Sequence, residues 1–265
     1  MGRIIPTERH IPSAAFFLAV LAIAFTYWIA SLMISPGTSL DEAILFRPHG
    51  DSDYLPIVSA LSRLEFGETS VWETAHQGLR SFPMAPLIMH GIMVRFAGDI
   101  GFVVADVLVF LFYGLALVYF LRSAEISARL AEVLAVMVLG GVANQFVLTS
   151  ARMGADIPLT FWQSRFPRPG VTEVFVLAFF ILAIRLIGRR GAATGVRDWL
   201  LVGVVWACLL QADIYQAANL TLVALLFAGY LLIVDTRRAL RGIGAAACAA
   251  VICALPFVYQ RLHEL

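Results

Sequence analysis

The sequence predicts an all-α protein, a polytopic transmembrane helical bundle of about seven spans with interfacial helices in its first outer loop. Three observations carry this expectation. Of 265 residues, 60% are hydrophobic and only 14% are charged, where a soluble domain has about a quarter of its residues charged. The mean hydropathy is +0.85. Several apolar runs approach or exceed the roughly 18–20 residues that cross a bilayer. The net charge is +1, with no lysine among the 19 basic residues, so no basic excess points to nucleic acid. Cys208, Cys248 and Cys253 lie in apolar runs, and their spacing suggests neither a disulfide framework nor a zinc site.

Taken in order, the first apolar run covers 13–35 and follows Arg3 and Arg9. Its core is longer than the roughly 7–15 residues of a signal-peptide h-region, and no A-x-A site follows, so it reads as an uncleaved first span. Residues 36–100 then form a long, acid-rich outer loop. Within it "YLPIVSALSRLEFG" places Ile57, Leu61 and Leu64 on one helical face, and "APLIMHGIMVRFAG" is a second helix-sized apolar piece, too short to cross. Both read as helices lying in the headgroup plane. Six further spans follow at about 101–121, 130–149, 171–187, 198–212, 216–234 and 243–260. The apolar stretch from Trp199 to Val234 is too long for one crossing at about 1.5 Å per residue, and "QADIYQ" at 211–216 breaks it. With no repeat and no linker, residues 1–265 make one membrane domain. Arginines crowd the short segments 1–12, 122–129, 188–197 and 235–242, which sets those segments and the N-terminus on the cytoplasmic side of a bacterial inner membrane.

The candidate chemistry gathers on the opposite side. Asp41, Asp51 and Asp53 stand in the first outer loop at the membrane–water boundary. A carboxylate there suits a general base toward a hydroxyl or amine acceptor, or a ligand for a divalent cation. The second outer loop carries Arg152, Arg165 and Arg168 beside Phe161, Trp162 and Phe166. That pattern fits either an interfacial belt with snorkelling arginines or a guanidinium clamp on a lipid phosphate. Asp213, within "QADIYQAAN", falls near bilayer depth and is either a substrate-contacting acid or part of a hairpin turn. Asp106, Asn144 and Gln145, inside spans, read as polar joints between helices. The five histidines show no metal-site spacing, and there is no P-loop, G-x-S-x-G or C-x-x-C motif.

The layout resembles the GT-C superfamily of membrane glycosyltransferases, which includes the protein O-mannosyltransferases and the aminoarabinose transferase. The likeness rests on an inner N-terminus, a first span, a long outer loop with an acid near its start, a proline-marked helix ("SFPMAPLIMHGIMVRFAG") and short-looped spans after it. The "GDSDYLPIVSALSRLEFGE" segment is similar to that family's loop of an acid, a tyrosine and an amphipathic helix ending in glycine. The resemblance implies transfer of a sugar from a polyprenyl-phosphate donor to a glycan, lipid or protein acceptor. Asp51 or Asp53 would be the catalytic acid, with Asp41 the competitor nearer the span, and Tyr54 would line the site. The chain is shorter than most members of that family. A non-catalytic membrane subunit or lipid-binding scaffold, bound to a membrane-protein partner, is therefore the alternative, and a small transporter or flippase the third.

Overall fold

The computed structural model describes residues 11–34, 39–41, 44, 54–64, 84–151, 168–188 and 196–262. Among the described residues there are nine helices and no strand: α1 (Ala14–Ile34), α2 (Tyr54–Ser62), α3 (Met84–Ala97), α4 (Ile100–Ser123), α5 (Ala128–Ala151), α6 (Arg168–Gly188), α7 (Val196–Ala212), α8 (Ile214–Val234) and α9 (Thr236–Leu262). Seven of these helices fall on the seven segments expected from hydropathy, and α2 and α3 fall on the two short helices expected in the loop. Three stretches are long and apolar enough to cross a bilayer: Ile100–Ser123, Gly170–Ile187 and Ile214–Val234. The chain is thus a helical bundle of membrane character. Much of the exposed surface of α8 is apolar, Leu222, Leu225, Leu226 and Ile233 included. Such a surface suits hydrocarbon, where the helix bonds its own backbone polar groups.

One core unites α1, α4 and α5. Phe16, Val20, Ala24 and Trp28 recur every four residues along α1 and are all buried. Ala131, Ala135, Leu139 and Ala143 do the same along α5. Such i, i+4 rows are the ridges that pack helix against helix. Val109, Phe110, Tyr113 and Val118 of α4 join them. Gly114 lets α4 come close: a Cβ there would stand 2.9 Å from Leu139 Cδ1 and 3.2 Å from Phe16 Cζ. The start of α1 is pinned to α5, since the Ser13 amide and hydroxyl donate to Glu132 at 3.1 and 2.5 Å. Ser13 also caps α1, its Oγ accepting from Phe16 N at 3.2 Å.

A second core joins α6, α7 and α8 through Phe179, Ala183, Leu209, Ala217 and Leu220. The break between α7 and α8 comes where the polar interruption placed it. Asp213 is in an extended conformation (φ −162°) and its carboxylate accepts from Tyr215 N at 2.9 Å and Gln216 N at 3.2 Å. The turn is sharp. Trp206 Nε1 donates to Thr221 Oγ1 at 2.8 Å across a separation of 15 residues, a distance of about 22 Å along a continuous helix. Next, α9 packs on α7 through small residues. A Cβ on Gly203 would collide with Ala246 O and stand 2.9 Å from Ala249 Cβ, and one on Gly242 would run into the Trp199 ring.

The loop helices depart from expectation at Leu64. The α2 helix stops at Ser62, and Leu64 lies beyond it at φ +62° and exposed, not on the buried face with Ile57 and Leu61. The Arg95 guanidinium reaches across from α3 to the Ser62 carbonyl at 2.9 Å, so the end of α2 is held by a neighbouring helix. The α3 helix, for its part, packs closely on its neighbours. It doubles back along the first turns of α4 and touches α2, α6 and α7. Its Leu87, His90 and Gly91 are buried, while Ile88, Ile92 and Phe96 point outward. The reversal needs Gly98, which ends α3 at φ +60°, where residues with a Cβ are strained.

Candidate functional site

The elbow between α3 and α4 brings acids together. Asp99 occupies the N-cap position of α4, where an Asp ordinarily accepts from the backbone amides of the first turn. Here its backbone is already helical (φ −61°, ψ −31°) and its side chain makes no capping bond. The carboxyl instead stands near Asp41, which follows α1 in the chain, close enough for the two carboxyls to interact. Both residues are exposed to solvent. The Asp99 carboxyl is nevertheless held above its ordinary value, first by partial loss of water against the protein and then by the neighbouring Asp41 carboxyl.

Below the elbow, α4 repeats the pattern. Asp99, Asp106 and Tyr113 are spaced by seven residues, so they share one face and step along the helix by about 10 Å. Each meets a titratable group from another element. Asp106 faces His90 of α3, with Nε2 and Oδ1 3.3 Å apart and both side chains fully buried. The His90 ring also lies 5.0 Å from the Phe102 ring. Tyr113 lies near enough to Glu173 of α6 for their charges to interact. Asp106 therefore lies at a contact between helices, where its sequence position suggested a polar joint, facing a histidine that spacing alone did not single out, although Nε2 and Oδ1 do not form a hydrogen bond with each other.

The expected site residues divide. Asp41 is in the acid pair. Asp51, Asp53, Arg152 and Arg165 lie outside the described residues. Tyr54 and Arg168 are the first residues of α2 and α6, and their side chains lie outside the described set. Asp213 is buried as the cap of α8, with its carboxylate committed to two backbone amides, so the hairpin-turn reading accounts for it. Asp213→Ala should cost about 1 kcal/mol of stability, read as a lower melting temperature. Any activity per folded molecule should be unchanged.

Asp99 and His90 were not singled out. The available signal was the seven-residue spacing of Asp99, Asp106 and Tyr113, which places three polar side chains on one face of an otherwise apolar helix. Among the described residues no three His, Cys, Asp or Glu stand close enough to hold a metal ion. Asp41 and Asp99 offer two carboxylates, which with water suits a magnesium-like ion. In comparisons with known proteins, the chain matches no family model, no curated protein and no solved structure.

Proposed function

We propose that the chain is a glycosyltransferase that moves a sugar from a polyprenyl-phosphate donor to an acceptor at the membrane face where Asp41 and Asp99 stand. The supporting observation is the Asp99 carboxyl, which makes no capping bond and meets Asp41 instead. The Asp41 carboxylate takes the proton from the acceptor hydroxyl or amine as that atom bonds to the anomeric carbon. The bond from the anomeric carbon to the phosphate oxygen breaks, and the lipid phosphate leaves with its electron pair. Asp99 stands beside Asp41 at the start of α4 and completes the acidic wall of the site. Arg152, Arg165 and Arg168 bind the leaving phosphate. The face is the periplasmic one, reached by seven crossings with the N-terminus in the cytoplasm, and the membrane is a bacterial inner membrane.

Binding of polyprenyl phosphate to the purified protein tests the donor half of this reading. The wild type is expected to bind, and Arg165→Ala with Arg168→Ala to weaken binding at least tenfold. Wild-type protein that binds no polyprenyl phosphate would remove the donor assignment.

A second reading is supported by the buried titratable groups along α4. Ionisable residues at bilayer depth commonly line ion or substrate paths, and His90 with Asp106 is fully enclosed. A substrate-dependent flux into proteoliposomes, lost in Asp106→Asn, would favour a transporter over a transferase.

A further inference from the structure

We infer that the crossing of α2 and α3 binds an anionic phospholipid of the surrounding bilayer, with Arg63 and Arg95 at the headgroup phosphate and Ile88, Ile92 and Phe96 along an acyl chain. This stands apart from the transferase reading and needs only the membrane character of the bundle. The two helices touch where Gly91 meets Leu61: a Cβ on Gly91 would stand 2.7 Å from Leu61 Cβ. A few residues beyond that contact each segment carries an exposed arginine, Arg63 just after α2 and Arg95 on α3. Both guanidiniums are anchored on the last turn of α2. Arg63 donates to Ser59 Oγ at 2.9 Å, and Arg95 to the Ser62 carbonyl at 2.9 Å. Ser62 Oγ itself donates to Ser59 O at 2.7 Å, so the two anchor points belong to one turn. A guanidinium carries several N–H donors, so one such bond aims it without using it up.

Beneath the arginines lies an apolar row. Ile88, Ile92 and Phe96 recur every four residues on the outward face of α3 and are 38%, 45% and 81% exposed. Arg95 is seven residues from Ile88, so it stands on the same side of the helix, about 10 Å nearer the elbow. The elbow is also where the apolar span of α4 begins, at Ile100. Arg95, and Arg63 on the same turn of α2, are therefore level with the headgroups, and the row runs from there into hydrocarbon. Three apolar side chains in line fit an acyl chain. A pair of guanidiniums above them fits a phosphate, which accepts forked, charge-assisted bonds. The charge of the pair selects among phospholipids. Two positive groups repel the ammonium of a zwitterionic headgroup at short range and meet no such charge in an anionic one.

The test uses the full chain, purified in detergent and stripped of lipid. It is titrated with phosphatidylglycerol, with phosphatidylcholine of the same acyl chains and with inorganic phosphate, while native mass spectrometry follows the first lipid bound. The wild type is expected to hold phosphatidylglycerol about tenfold more tightly than phosphatidylcholine, the scale of one charge-assisted bond. Arg63→Gln with Arg95→Gln should erase that preference. If this double variant does not fold, because Arg95 also holds the end of α2, Arg63→Gln alone decides. The Arg63 anchor lies within its own helix, and its loss should weaken phosphatidylglycerol binding about threefold or more. Ile92→Ser with Phe96→Ser should weaken both lipids alike, and unchanged binding there would overturn the acyl-chain contact. Equal wild-type affinity for the two lipids, which arginines snorkelling to any headgroup would give, would overturn the site. A preference that survives the arginine changes would overturn it as well. Displacement of the lipid by inorganic phosphate at like concentration would make this a site for free phosphate and remove the lipid assignment. Displacement by polyprenyl phosphate would give the face to that lipid and remove the phospholipid.

Discussion

Asp41→Asn is expected to lower sugar transfer by about 10²–10⁴-fold, the usual contribution of a positioned general base, while the protein still inserts and folds. Asparagine keeps the size and a hydrogen-bonding group but cannot take the acceptor proton. Asp99→Asn should be milder, because the base itself is left in place. The two variants therefore separate the base from its support. Equal loss in both, or activity that survives Asp41→Asn, would count against these roles. The pair also makes a stability prediction with a definite sign. The Asp99 carboxyl is raised in the folded protein above an unfolded value of about 3.9. The folded state therefore binds more protons than the unfolded state between those two values. The resulting stabilisation is complete below about pH 3.9 and is lost as pH rises through the folded value. At neutral pH the like charges of Asp41 and Asp99 oppose each other. Asp99→Asn should therefore melt above the wild type at pH 7, and the difference should vanish near pH 3. Thermal melts across pH would show this. An Asp99→Asn protein that melts lower at pH 7 would mean that the acid pair carries no repulsion.

Gly203→Leu is expected to lower stability by about 2–3 kcal/mol, or roughly 5–10 °C in melting temperature. At this position α7 and α9 approach almost backbone to backbone. Even one Cβ would collide with Ala246 O and press on Ala249 Cβ and Ala250 N, each 2.9 Å away. Backbone cannot rotate aside as a flexible side chain would, so the helices must separate along the stripe of small residues between them. Helices in lipid associate largely through such close packing, since apolar side chains gain little by leaving hydrocarbon. Gly244 is the control. Nothing lies within 4 Å of a Cβ there, so Gly244→Ala should be neutral or slightly stabilising through helix propensity. Equal losses at 203 and 244 would show that the effect is general to glycine and owes nothing to the α7–α9 contact.

Much of the helical layout was legible in the chain itself. Where backbone must satisfy its own polar groups, an apolar run of sufficient length becomes a helix, so hydropathy located α1 and α4 to α9. The break at Asp213 was legible for a related reason: a short run of polar groups interrupts hydrocarbon, and an Asp is a natural cap for the helix that resumes. Asp41 was legible as a candidate because it is an acid just past a span. Asp99 was not singled out, because an acid before an apolar helix looks like an ordinary cap, and only the fold shows that its side chain makes no capping bond and lies near Asp41. The sequence likewise left Asp213 open between an acid contacting substrate and a turn, until two backbone amides were seen to occupy its carboxylate. Hydrophobicity along the chain determined which segments are helices, since that depends on each segment and its solvent. Only the tertiary structure decided that α3 folds back on α4 and that His90 meets Asp106. Those pairings join residues of different helices, and their energies depend on an angle set at Gly98 and Gly101 that no local pattern encodes.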